Sequence, residues 1–294
     1  MAGATAILLL VGCDGGGSDD GGAANAAGSA GVGTVGGTSG TTGGSAGMNA
    51  GGAMGAGGSA ATARVCGDGS STSYTIDDAD DIAAIVDCTT MNGNLIVSDT
   101  MLTSLSLPNL VEIEGFFNCQ LNPVLTSVSL PALTTTGHIA FSGNEELTSL
   151  NLSNLATAGG MTVFVNKLTS LSLPKLVSVA LEFDFVVVSG TADPLTSLSL
   201  PELATVGSIF SVRHTLLLTE LALPKLATVG DFTVEGNNAL TNLTAPALAT
   251  VQGGVRILSN PVLPTCQVQA LLQQLSNFSG MTTIRDNDDI ASCE

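Results

Sequence analysis

The stretch from Leu168 to Leu176, LTSLSLPKL, is one copy of a motif that recurs along most of the chain. Its siblings are LTSLSLPNL from Leu102, LTSVSLPAL from Leu125, LTSLNLSNL from Leu147, LTSLSLPEL from Leu195, LTELALPKL from Leu218 and LTNLTAPAL from Leu240. Successive copies start 23, 22, 21, 27, 23 and 22 residues apart, and Leu263 follows 23 residues after Leu240. A period this short and this regular marks a solenoid, in which each repeat buries its apolar face only by stacking on its neighbours.

Leu at the first, fourth and sixth positions of the motif alternates with Ser or Thr, the pattern of a strand with one apolar face. Pro108, Pro131, Pro174, Pro201, Pro224 and Pro246 then close the strand, because proline has no N–H and a fixed φ. A second alternating stretch follows in each repeat, such as Val206, Ile209 and Val212, or Val229, Phe232 and Val234. A polar turn with Asp99, Asn122, Asn144, Asn237 or Asn260, each three residues before the next Leu, completes the coil. Stacked Asn side chains there would hydrogen-bond from coil to coil. Two short strands and two or three corners in 22 residues leave no room for a long helix. The expected fold is mainly β: a right-handed β-helix or leucine-rich solenoid of about eight coils of about 22–23 residues, with short capping helices. At a strand spacing of about 4.8 Å such a stack is about 35–40 Å long.

An open stack exposes core and strand edges, so its ends require lids. Ile76, Ile82, Ile85 and Val86 in TIDDADDIAAIVDC, with Thr75 and Asp78 at capping-box spacing, predict a short helix at the front. Val268, Leu271, Leu272, Leu275 and Phe278 fall on one helical face in PTCQVQALLQQLSNF at the back. The six cysteines contain no C-x-x-C pair. Two flank each end of the repeat region, so the expected bridges are Cys66–Cys88 and Cys266–Cys293, one per lid, in an oxidising compartment. Cys119 is left as a buried free thiol.

The N-terminal part reads differently. Ala6 to Val11 is an apolar run too short to span a bilayer, ending in Leu10-Val11-Gly12-Cys13. That tetrapeptide resembles the bacterial lipobox, whose Cys is acylated and becomes the new N-terminus. The chain thus divides into a lipoprotein-type signal segment at 1–13 lipidated on Cys13, a linker at 14–62, and the solenoid at 63–294. The linker is almost all Gly, Ala, Ser and Thr, which buries too little apolar area to order itself, so it is expected to be a disordered tether. A flexible coil of that length spans about 40 Å.

Framework residues also carry a family resemblance. The opening Cys66…Cys88-Thr-Thr-Met-Asn-Gly-Asn-Leu-Ile-Val and the L-T-S-L-x-L-P-x-L-x-x-V-G-x-x-x-V coils resemble the receptor L-domain. That family comprises leucine-rich β-helical modules of growth-factor receptor ectodomains and of fungal and bacterial surface proteins. The closing N-P-x-L-P-T-C segment resembles lipoprotein versions from environmental bacteria. The resemblance covers about Cys66 to Cys293 and implies surface display with protein or ligand contact. It supplies no binding residues, since no family site motif has a counterpart here.

Composition and motifs restrict function further. With 25 acidic and 7 scattered basic residues the net charge is −18, which disfavours nucleic acid and direct attraction to anionic lipid. The carboxylate clusters Glu112/Glu114, Glu145/Glu146 and Glu182/Asp184 read as solvated loop charges rather than a glycosidase pair. His138 and His214 have no nucleophile motif beside them, and His214 in SVRHT reads as a surface residue. Asp286-Asn287-Asp288-Asp289 lacks the spacing and Gly of a calcium loop. No catalytic residue, metal site or cofactor is expected, and the chain reads as a non-enzymatic binding or adhesion module. Its membrane contact would be the lipid anchor, in the cell envelope facing the surface or periplasm, with an extracellular protein or glycan as partner. A structural envelope or coat protein without a specific ligand is the alternative, and a polysaccharide-active enzyme a more distant one. Two places are candidates for contact. One is the outward hydroxyl face of the first strands, Ser104, Ser106, Ser127, Ser129, Ser149, Asn151, Ser170, Ser172, Ser197 and Ser199. The other is the loop of the 27-residue coil, with Phe183 and Phe185, unless those rings repack inside.

Overall fold

The computed structural model describes residues 63–67, 73–165, 167–187, 194–276 and 278–293, which form a parallel β-solenoid of about eight turns. Residues 1–62, expected to hold the signal segment, the lipidated Cys13 and the linker, lie outside the described residues. One wall is a 15-stranded sheet. Its longest members are Thr135–Ser142, Thr157–Val165, Thr205–Arg213 and Thr228–Glu235, each paired in parallel with the strand one coil away. The opposite wall is built from the repeated motifs as three-residue strands such as Ser104–Ser106 and Ser170–Ser172.

The motif's apolar positions all turn inward. Leu105, Leu107 and Leu110 are buried, as are Leu171, Leu173 and Leu176 a few coils on. Between the sixth and ninth positions the chain makes a β-turn: Leu110 N–H donates to Leu107 O at 3.4 Å, and Leu133 to Leu130 at 3.1 Å. Proline occupies the second residue of this turn, where its fixed φ fits. The motif's threonine has a job too. Thr126 Oγ1 donates to Thr103 O at 2.9 Å, and Thr148 Oγ1 to Thr126 O at 3.1 Å, stitching coil to coil. On the large sheet's inner face Phe183, Phe210 and Phe232 stack in a column with centroids 5.4 Å apart.

The polar turn carries the asparagine ladder, in two described runs: Thr100–Asn122–Asn144, and Thr215–Asn237–Asn260–Asn287. Asp99 is not a rung. Its turn is one residue shorter before Leu102, so Thr100 takes the rung and Asp99 the left-handed position before it, with φ 57°. Leu121, Gly143, His214, Gly236, Ser259 and Asp286 hold that same conformation ahead of their own rungs.

Both lids are helices standing where the motif strand would be. Helix α1 (Ala79–Ile85) follows strand Ser73–Ile76, which pairs with Asn94–Ser98 as a partial extra coil. Its capping box is Asp78 with Asp81, not Thr75 with Asp78, because Thr75 is committed to the strand pairing with Ile96. Ile85 is buried and Ile82 packs against the core. Helix α2 (Thr265–Gln273) begins just after Leu263, buries Val268 and Leu271, and brings Leu272, Leu275 and Phe278 against the core. Cys66–Cys88 and Cys266–Cys293 are disulfide-bonded, one at each lid, and Cys119 is a buried free thiol.

Candidate functional site

The hydroxyl face is real in orientation but not continuous. Ser104, Ser106, Ser149, Ser170, Ser172 and Ser197 are exposed, and Ser127, Ser129, Asn151 and Ser199 half-buried. Pairing in register joins Ser104–Ser106, Ser127–Ser129 and Ser149–Asn151 into one sheet, and Ser170–Ser172 with Ser197–Ser199 into another. Glu220–Ala222 and Asn242–Thr244 make a third. Ser149–Asn151 does not pair with Ser170–Ser172, nor Ser197–Ser199 with Glu220–Ala222. A groove of about 350 Å³ opens at the second break, lined by Ser197, Ser199, Thr219 and Glu220. The expected array from Ser104 to Ser199 is therefore two short pieces, and the third sheet holds none of its residues.

Phe183 and Phe185 are core residues, 1% and 0% exposed, on strand Phe183–Val187. The extra length of that coil is absorbed after the strand, and these rings offer nothing to a ligand. Residues 188–193 of the insertion lie outside the described residues.

A different constellation emerges on the outer face of the large sheet. Glu182 and Asp184 sit on this face, not on solvated loops. Parallel register places Asp184, Ser211, Thr233 and Arg256 in one outward row on four consecutive coils. The neighbouring row holds Val186, Arg213 and Glu235. On the other flank is Ile209, which the repeat pattern assigns to the interior. A register shift between Val206 and Ile209 inserts an extra residue, so Phe210 takes the core position and Ile209 turns out, 39% exposed.

These residues, Val186 excepted, line a groove of about 320 Å³. An ion pair stands at each end of its floor. Arg213 Nη2 donates to Asp184 Oδ1 and Oδ2 at 3.1 and 2.9 Å, and Arg256 Nη2 lies 3.8 Å from Glu235 Oε2. Between them Ser211 is only 2% exposed and Thr233 8%, although both point out of the sheet between core neighbours. Ser211 Oγ and Arg213 Nε are buried without a hydrogen-bond partner. An orphaned buried polar group costs about 1–3 kcal/mol, so two in one groove are an unusual expense for a wall that only has to be stable.

Beside the groove Glu182 Oε1 meets His138 Nδ1 at 3.4 Å, two strands away. Gly160 makes that contact possible: a Cβ there would lie 2.4 Å from His138 Nδ1. Each groove carboxylate thus faces a cationic or cationisable partner. The other sequence candidates stay apart from it. Glu146 pairs with Lys167, and His214 is exposed in its turn. Asp288 and Asp289 are engaged locally, accepting from Ile290 and Ala291 N–H and from Thr265 Oγ1 respectively. Among the described residues no group of three His, Cys, Asp or Glu is arranged to hold a metal.

Reading the sequence missed Ser211, Thr233, Glu235 and Arg256 because they belong to no motif. The available signal was positional: outward positions of successive coils carrying opposite charges, Asp184 with Arg213 and Glu235 with Arg256. No protein-family model, curated protein or solved structure matches the chain.

Proposed function

We propose that the chain is a non-enzymatic binding module of the cell envelope, a receptor L-domain-like solenoid held at a membrane by lipid on Cys13 and spaced from it by residues 14–62. The observation that carries the binding reading is the buried, unpartnered hydroxyl of Ser211 at the floor of a groove walled by paired charges. Pre-formed pockets typically combine an apolar contact with a few convergent polar groups, here Ile209 with Ser211, Arg213 and the flanking carboxylates. The pairing of those carboxylates with guanidinium groups supports recognition over acid–base catalysis, which needs one acid held protonated opposite a base.

The test presents full-length protein to cells and to extracted envelope material, beside the Ser211→Arg variant, which fills the groove. Saturable binding lost in the variant, with the thermal transition preserved, supports the reading. No saturable binding by the unmodified protein would leave it a coat component.

A further inference from the structure

We propose that the groove over Ser211 takes a neutral saccharide, an inference that rests on the binding reading above. Asp184 is neutralised by Arg213 and Glu235 faces Arg256, while Glu182 meets only the imidazole of His138, so neither guanidinium is free for an anionic ligand. An anion entering the groove would have to displace a carboxylate from its guanidinium, and a cation would find only Glu182 without a guanidinium partner. A neutral polyol displaces neither pair.

The free valences match hydroxyl chemistry. Arg213 Nε is a donor without an acceptor, and Ser211 Oγ is a donor and acceptor with neither role filled. The carboxylates keep lone pairs beyond those used by the arginines. A sugar hydroxyl accepts from an N–H and donates to a carboxylate at once, and adjacent hydroxyls on a ring present two such groups side by side. Ile209, turned outward by the bulge, supplies an apolar contact for the C–H face of the ring. The volume of about 320 Å³ is at the small end of ligand pockets, suited to one or two rings of a longer chain. Its position on the open sheet face lets the rest of a polymer run past.

Ser211→Ala separates binding from stability. The hydroxyl has no partner within the protein, so removing it breaks no internal hydrogen bond. Full-length protein is titrated with neutral hexose and N-acetylhexosamine oligosaccharides, with uronate and amino-sugar oligomers as charged counterparts. Neutral oligomers are expected to bind saturably. Ser211→Ala should weaken that binding about three- to tenfold with an unchanged or slightly higher melting temperature. Arg213→Lys, which keeps a cation near Asp184 but removes Nε, should weaken it about tenfold or more. Neutral binding that survives both substitutions, or binding of charged oligomers only, overturns the saccharide assignment. If no saccharide binds while a cell-surface protein does, and Ser211→Arg abolishes that contact, the saccharide assignment falls and the binding reading stands. If Ser211→Arg changes nothing for any partner, both fall.

Discussion

Asn122 and Asn144, one coil apart, share a single oxygen. Asn144 Oδ1 accepts the Asn122 side-chain amide at 3.0 Å and the Asn122 backbone N–H at 3.2 Å. Asn144 Nδ2 in turn donates to Cys119 O at 2.8 Å, and Asn122 Nδ2 to Val97 O at 2.9 Å. Each rung thus accepts the backbone N–H of a neighbouring turn and adds a bond to a strand carbonyl one coil back. Asn144→Ala strands the buried Asn122 N–H, at about 1–3 kcal/mol, and removes one bond from the Cys119 carbonyl, which the strand pairing of Gln120 with Ser142 still serves, at about 0.5–1.5 kcal/mol. The expected loss is about 2–4 kcal/mol in denaturant unfolding. A loss below about 1 kcal/mol would show that the ladder is decorative.

What the sequence made legible is whatever repeats. The motif leucines, the proline corner and the asparagine rungs recur at one spacing, so each copy corroborates the others. Misreadings cluster where the repeat is broken by one residue. Asp99 looked like a rung until its shorter turn gave that place to Thr100, and Ile209 looked interior until the bulge gave its place to Phe210. Thr75 looked like a cap because strand Ser73–Ile76 belongs to a coil that has no motif. The groove was hidden for a related reason. Outward side chains are free to vary, and pairing Asp184 with Arg213 requires the register across a 27-residue coil.

Leu121 is a branched residue held at φ 55°, in a turn position that glycine fills at Gly143 and Gly236. Left-handed backbone costs an L-residue about 1–2 kcal/mol, partly offset in glycine by the entropy it loses on folding. Leu121 is also 54% exposed, so its removal gives up little buried area. Leu121→Gly should therefore stabilise the protein by about 0.5–1 kcal/mol. An increase in the denaturation midpoint checks this, and a decrease would mean that the leucine packs on the Gly143 turn more than its exposure indicates.

Burial pushes the Cys119 thiol up to about 12, opposed by the Asn122 amide that points at its sulfur. The native thiol should resist thiol-specific reagents at pH 8 and react only as fast as the protein opens. The raised value also fixes a pH dependence. Below about 9 the thiol is protonated in both states and contributes no slope. Between about 9 and 12 only the unfolded chain loses the proton, so stability falls as pH rises, by up to about 1.4 kcal/mol per pH unit. Cys119→Ala should flatten that alkaline slope. Rapid labelling of native protein at pH 8 would contradict the burial.

The candidate hydroxyls of the serine face lie on two short sheets, interrupted after Ser149–Asn151, and the stack breaks again after Ser197–Ser199. A polymer reading an unbroken ladder at about 4.8 Å spacing would lose register at each gap. Within the pieces, the coil-to-coil bonds come from backbone groups, from threonines such as Thr126 and Thr196, and from Asn151 Nδ2 donating to Ser129 Oγ at 3.4 Å, not from Ser127, Ser170 or Ser172. Arginine placed at Ser127, Ser170 and Ser172 together should cost about 0.5 kcal/mol or less per site, as for other surface changes. Envelope binding should be retained in the same variant, since the groove over Ser211 lies on the other wall. Loss of binding with an unchanged melting temperature would move the contact surface to the serine face and away from the groove.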